Sequence, residues 1–161
     1  VTDHSAAPSL QIRAIESGDA ASVAELSGQL GYPTAIEEIR GRIATFCSLP
    51  DAQQAFVACL DTAIVGWIEV TAMHHLQSPP FAMIGGLVVK EGFRGMRIGK
   101  RLCEEAERWA KTHNISLLRV TSRSSRTDAH RFYLREGYTQ TKTSLVFEKI
   151  LPRPDPGVGD S

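Results

Sequence analysis

Four basic residues, Arg94, Arg97, Lys100 and Arg101, cluster where the apolar run Leu87-Val88-Val89 passes through Gly92, Gly95 and Gly99 into an amphipathic stretch. This pattern makes an anion-binding cradle. A loop ending at a helix N-terminus leaves backbone N–H groups without intrahelical partners, at the positive end of the helix dipole, so the main chain itself can hold phosphate oxygens. A nucleotide P-loop does not fit, because no Gly-Lys-Ser/Thr triplet closes the loop. A dinucleotide fingerprint fits poorly as well. The three glycines are spaced three and four apart rather than in a G-x-G-x-x-G frame, and no acidic residue ends a following strand at the expected place.

The elements that must position the cradle follow from hydrophobic periodicity. Leu10 to Ile15 alternates as a strand, and helices are predicted at about 19–30 and 35–48, the second announced by the capping box Thr34-x-x-Glu37. Strands at about 55–60 and 64–71 are joined by Asp61-Thr62-Ala63, which reads as a hairpin. Residues 73–80 read as a loop ended by Pro79-Pro80, and 81–89 as the strand that delivers the cradle. From Gly99 to about His113, Leu102, Cys103, Ala106, Trp109 and Ala110 share one helical face. A strand at 115–121 follows, then a short helix at 128–136, opened by Asp128 as N-cap and stopped at Gly137. Tyr138 and residues 144–150 are expected to supply the last strand or strands, with disorder at 1–9 and 152–161 around a single domain at 10–151.

With 161 residues, 42% of them hydrophobic and 22% charged, the chain is sized for one globular domain. No apolar tract reaches membrane-spanning length and no secretory hydrophobic region is seen, so no membrane partner and a cytoplasmic location are expected. Cys47, Cys59 and Cys103 are widely spaced, which fits reduced thiols rather than a disulfide framework or a metal site. The formal net charge of zero hides an asymmetry. Basic residues outnumber acidic ones between Lys90 and Arg135, while Glu16 to Glu69 leans acidic, suiting an anionic ligand on one half and a cationic amine on the other. The basic stretch lacks interleaved aromatics, so nucleic-acid binding is not expected.

Arg94, Ile98 and Gly99 on a cradle that follows an apolar strand resemble the Gln/Arg-x-x-Gly-x-Gly/Ala motif of the GCN5-related N-acetyltransferase (GNAT) family. Arg97 stands where that motif's first glycine is usual, which requires a negative φ at this arginine. The run Ala129-His130-Arg131-Phe132-Tyr133-Leu134-Arg135-Glu136-Gly137-Tyr138 is similar to the family's later signature, a short helix carrying a tyrosine and ending at Gly-Phe/Tyr. Together with Asp128, that run also resembles bacterial aminoalkylphosphonate acetyltransferases. The resemblance covers about residues 10 to 150.

It implies an α/β (α+β) acyl-CoA N-acyltransferase fold whose mixed central sheet splays between its fourth and fifth strands. It implies acetyl-CoA as cosubstrate, with Leu87, Val88 and Val89 contacting the pantetheine through their backbone. Arg94, Gly95, Met96, Arg97, Ile98, Gly99 and Lys100 would hold the pyrophosphate. Ser122 falls where family members contact the pantetheine, and Arg126 stands where an Asn is common, its fork suited to a phosphate.

The implied chemistry is acetyl transfer to a primary amine of a small molecule by direct attack in a ternary complex. An alkylammonium with a pKa near 10 must lose a proton first, and a thiolate whose acid has a pKa of about 8.5 must gain one. Tyr133 is the candidate donor. Many family members carry a glutamate on the cofactor strand, near where this chain has Met83, so the candidate bases are Glu69, His74 or His75, acting directly or through water. Adjacent His74 and His75 would project to opposite faces of a strand, which argues against a metal site built from both. A protein lysine or N-terminus as acceptor, or a non-catalytic acetyl-CoA sensor, are the alternatives. A homodimer is a family-level expectation.

Overall fold

The computed structural model describes residues 7–154, so the disorder expected at 1–6 and 155–161 lies outside the described residues. Two compact units are present, the first ending at Thr121 and the second beginning at Ser122.

The first unit is built on a five-stranded sheet in the order β1 (Leu10–Ala14), β2 (Gln53–Leu60), β3 (Ala63–His75), β4 (Ser78–Val89) and β5 (Leu118–Val120). The first four strands are antiparallel neighbours, and β5 runs parallel to β4. Helices α1 (Ala20–Gln29) and α2 (Ile36–Ser48) cover one face, where Val23, Ile39 and Ile43 pack with Ala55, Val57 and Cys59 and against Trp67. Helix α3 (Ile98–Thr112) covers the other. A Cβ added to Gly66 would meet Leu102 Cδ1 at 3.2 Å and Ile98 Cγ2 at 3.3 Å, so glycine lets this helix lie close on β3.

A 3-10 turn over Ser17–Asp19 leads into α1. It is held by Asp19, whose carboxylate accepts from both terminal nitrogens of Arg13 at 2.8 Å and from the Glu16 amide at 2.8 Å. Beside the Arg13 guanidinium, Asp19 sits below the usual carboxylate range despite its burial. Helix α2 starts differently from expectation. Its N-cap is Ala35, and Thr34 Oγ1 donates back to the Tyr32 carbonyl at 3.1 Å, so the Thr34–Glu37 capping box does not form.

The hairpin at Asp61-Thr62 forms as expected, with Asp61 at φ 54. Residues 73–80 do not form the predicted loop. Both strands extend to a tight turn at Leu76-Gln77, with His75 opposite Ser78, and Pro79 and Pro80 lie in the opening residues of β4. Proline is tolerated at a strand's first residues, where a lost ladder donor costs little.

In the second unit, α4 (Thr127–Arg135) ends before Gly137 at φ 92, the left-handed helix stop that was expected. Its N-cap is Arg126, not Asp128, which sits inside the first turn and pairs with Arg131 at 3.6 Å. The expected strands at Tyr138 and 144–150 are absent among the described residues. This segment pairs with no strand, and Leu145, Phe147 and Ile150 are 81%, 87% and 97% exposed. Alternation of apolar residues supplies a strand's side-chain pattern, but a strand exists only where a neighbour takes up its N–H and C=O groups.

Candidate active site

The chemistry-bearing residues of the first unit gather along β3, β4 and the loop entering α3. Among the described residues strand β4 pairs with β5 only through Ala82, Met83 and Ile84, so Gly85 to Val89 has no sheet partner there on that side. This is the expected splay. It leaves a row of main-chain donors and acceptors, those of Leu87, Val88 and Val89 included, able to take an extended amide ligand as though it were a further strand.

The loop after β4 carries the chain into the cradle. Lys90 N–H donates to the Val65 carbonyl at 2.7 Å, Glu91 N–H to Gln29 Oε1 at 3.1 Å and Phe93 N–H to the Lys90 carbonyl at 3.0 Å. Gly92 and Gly95 take φ 87 and 86. Arg97 is left-handed too, at φ 61 and ψ 19, contrary to the negative φ the sequence reading required. Such a conformation costs a side-chain-bearing residue about 1–2 kcal/mol. It turns the chain so that the amides of Ile98, Gly99 and Lys100 open the first turn of α3, with Ile98 buried as the anchor and Arg94, Met96 and Arg97 exposed around them. Arg101 does not join the cradle. Its guanidinium donates to the Leu10 carbonyl at 2.9 Å, fastening α3 to β1.

Glu69 lies at the point where the splay begins. The β3–β4 register steps from Glu69 opposite Gly86 to Val70 opposite Ile84, so Gly85 is the extra residue of a β-bulge. A Cβ on Gly85 would overlap Glu69 Oε1, and one on Gly86 would meet Trp67 Cη2 at 2.7 Å and Cζ3 at 2.8 Å. The two glycines therefore make room for the carboxyl and the indole. Glu69 is half-buried, and among the described residues no hydrogen-bond donor or cation pairs with it. Burial pushes its carboxyl above the ordinary range. The sequence reading named Glu69 but missed the Gly85-Gly86 pocket, although paired glycines inside an apolar strand are the usual sign of a bulge.

The other candidates are placed as follows. Met83 is opposite Thr71, on the same face as Glu69. His75 is at the far end of β3, about 20 Å along the strand from Glu69, with its ring stacked on Phe81 at 5.4 Å. His74 and His75 are both exposed. The structure thus separates the two kinds of candidate base. In the second unit, Ser122 and Arg126 are exposed, and Tyr133 is half-buried, edge-on to Phe132 at 5.2 Å and Tyr138 at 5.5 Å.

An open strand edge for amides, a helix N-terminus for a pyrophosphate and a half-buried carboxyl at the splay fit acetyl-CoA, and they place the fold in the acetyltransferase class. The chain belongs to the acetyltransferase (GNAT) family, whose model matches residues 24–138. It is 39% identical over 79 residues to an aminoalkylphosphonate N-acetyltransferase of Salmonella typhimurium, a match covering 48% of this chain and 51% of the relative. The chain thus spans about half the length of that curated relative. Its fold is similar to that of an aminoglycoside N-acetyltransferase solved in complex with CoA, with a TM-score of 0.81, 17% identity, and 90% of this chain and 97% of that one covered. It is also similar to glucosamine-6-phosphate N-acetyltransferase from Arabidopsis thaliana, with a TM-score of 0.75, 22% identity, and coverage of 87% and 98%. No helix among the described residues is long and apolar enough to cross a membrane.

Proposed function

We propose that this protein transfers the acetyl group of acetyl-CoA to the primary amine of a small molecule by direct attack in a ternary complex. The observation that carries the reading is Glu69, a half-buried carboxyl with no donor or cation paired to it among the described residues, set over the β-bulge where the open edge of β4 begins. A carboxyl raised by burial is a better proton acceptor than a solvated one, which suits it to take a proton from an ammonium directly or through water. The amine nitrogen then bonds to the thioester carbonyl carbon, the carbon–sulfur bond breaks, and the departing sulfur gains a proton from Tyr133. Tyr133 as that acid is supported by the match of residues 129–138 to the family signature.

Leu87, Val88 and Val89 would bind the pantetheine amides by main chain, and Arg94 to Lys100 the pyrophosphate. Ser122 and Arg126 are proposed further contacts to pantetheine and phosphate. The partial match to an acetyltransferase of aminoalkylphosphonates favours a small aliphatic amine over a protein acceptor. A cytoplasmic location is supported by the wide spacing of Cys47, Cys59 and Cys103, which suits reduced cysteines better than a disulfide framework. A homodimer is supported by the exposed apolar run at 145–151, which a second copy would cover, and light scattering of the full chain tests it.

The deciding experiment follows CoA thiol release from acetyl-CoA with a panel of amines, for the native chain and Tyr133→Phe. Amine-dependent release that falls on the order of 100-fold in the variant is expected for loss of a general acid. Tight acetyl-CoA binding without turnover on any amine would overturn the reading in favour of a sensor.

A further inference from the structure

The face of the sheet that carries Glu69 continues toward the β3–β4 turn. Glu69, Thr71 and Met73 alternate along β3, their partners on β4 are Gly86, Met83 and Phe81, and Arg119 of β5 lies beside Met83. A carboxyl and a guanidinium thus share one face, with half-buried Thr71, Met73 and Met83 between them.

The Arg119 guanidinium lies over the Phe81 ring, 4.1 Å from its centroid, while His75 stacks on the same ring at 5.4 Å. Phe81 is buried beneath them. This stack fixes the guanidinium in place yet leaves its N–H edges uncommitted. A ring face attracts the cation through its quadrupole and accepts none of the five in-plane donors. Among the described residues no carboxylate pairs with Arg119. Arg13, Arg40, Arg42, Arg108, Arg131 and Arg135 each have one.

We propose that Arg119 is the acceptor-specificity residue: it holds an anionic group, phosphonate, phosphate or carboxylate, of a substrate whose amine is delivered to Glu69. This rests on the acetyl-transfer reading above. The geometry also limits the substrate's length. Phe81 is opposite Met73, four residues beyond Glu69, or about 13 Å along a strand. Hydrogen bonds of about 3 Å at each end leave on the order of 7 Å between amine nitrogen and anionic centre. That span fits a chain of one to a few carbons. A polyamine or aminoglycoside would place a second cation against the guanidinium, which like-charge repulsion disfavours.

The test compares matched acceptors, 2-aminoethylphosphonate against ethanolamine and β-alanine against β-alaninamide, by initial rates of thiol release for the native chain, Arg119→Gln and Arg119→Lys. The anionic member of at least one pair is expected to be preferred about 10- to 100-fold in kcat/KM, the range of a charged hydrogen-bonded contact. That ratio should collapse in Arg119→Gln, chiefly through KM, and recover in part in Arg119→Lys. Which pair shows it distinguishes phosphonate from carboxylate. Turnover with equal rates for neutral and anionic members, or a preference that survives Arg119→Gln, overturns the proposal and leaves acetyl transfer standing. No turnover of any of the four, nor of the wider amine panel, overturns both.

Discussion

Two carboxyls in the first unit, one buried and one half-buried, face opposite fates. Asp19, at the turn before α1, receives three hydrogen bonds from Arg13 and the Glu16 amide, and its pKa is lowered. Glu69, on β3, is half-buried, has no donor or cation paired to it among the described residues, and its pKa is raised. Burial alone favours the neutral form of both. The difference is that the sequence supplies Asp19 with an arginine across the turn and surrounds Glu69 with Gly85, Gly86 and an indole. A paired carboxylate fixes a chain reversal. An unpaired one is a cost to folding, which is what a site retained for its proton chemistry looks like.

The largest expected effect therefore falls on Glu69 and on turnover, not stability. Glu69→Gln should lower kcat on the order of 100-fold or more, the usual contribution of a general base, while its melting temperature at neutral pH is equal to or above the native value. Gly85→Ala should reproduce the loss, because the new methyl occupies the place of Glu69 Oε1 and displaces the carboxyl. The displaced group is the end of a flexible side chain, so the fold should persist. Steady-state rates alongside calorimetry check both variants, and a Glu69→Gln enzyme of native rate would place the base elsewhere.

Asp19 predicts the mirror image: Asp19→Ala should cost about 2–3 kcal/mol of stability through lost charge-assisted hydrogen bonds, leaving Arg13 with only the Glu16 carboxylate, at 3.9 Å, as an ion-pair partner among the described residues, with kcat little changed. The pH dependences should be opposite in sign. Because the pKa of Asp19 is lower when folded, the unfolded chain binds more protons, and the stabilisation present above the ordinary aspartate range is lost as pH falls through the folded value. Because the pKa of Glu69 is higher when folded, the native state binds more protons, and stability declines as pH rises from the ordinary glutamate range through the raised value. Urea titrations across pH should show Glu69→Gln gaining on the native chain toward higher pH, and the Asp19 variant losing most above the acid range.

The same contrast separates what was legible in the sequence from what was not. Periodicity located all five strands of the sheet and four helices within a few residues, because each apolar stripe reports on its own burial. The strand, loop and helix of the proposed cradle were legible for a similar reason, being contiguous. Features that depend on a partner distant in sequence were not. Residues 144–150 have a strand's pattern but no strand pairing among the described residues, Pro79-Pro80 read as a loop because proline's tolerance depends on ladder position, and Thr34 turned to the Tyr32 carbonyl rather than to its helix. Arg119 was passed over because its meaning lies in a register, Met83 beside Arg119 and Thr71 beside Met83, that exists only once the sheet is assembled.

Arg97 is the smallest of these tests and asks whether the cradle, like Glu69, keeps a cost for the sake of its ligand. Its φ of 61 is one that glycine adopts freely and an arginine does not. Arg97→Gly should relieve about 1–2 kcal/mol of strain, less about 0.5–1 kcal/mol for the greater freedom glycine gives the unfolded chain. The net is a gain of roughly 0.5–1 kcal/mol, measurable as a raised urea midpoint with an unchanged slope. The left-handed turn and its amides survive the substitution, so CoA should still bind, weakened a few-fold by loss of one exposed cation, and the deficit should shrink as salt screens the remaining charges. Calorimetric titration with CoA at low and high salt reads both effects together. A variant that binds as tightly as the native chain and is more stable would show the arginine to be dispensable at this position. A stabilised variant with weaker, salt-sensitive binding would show that the side chain is retained in a strained backbone for the charge it brings to the phosphates.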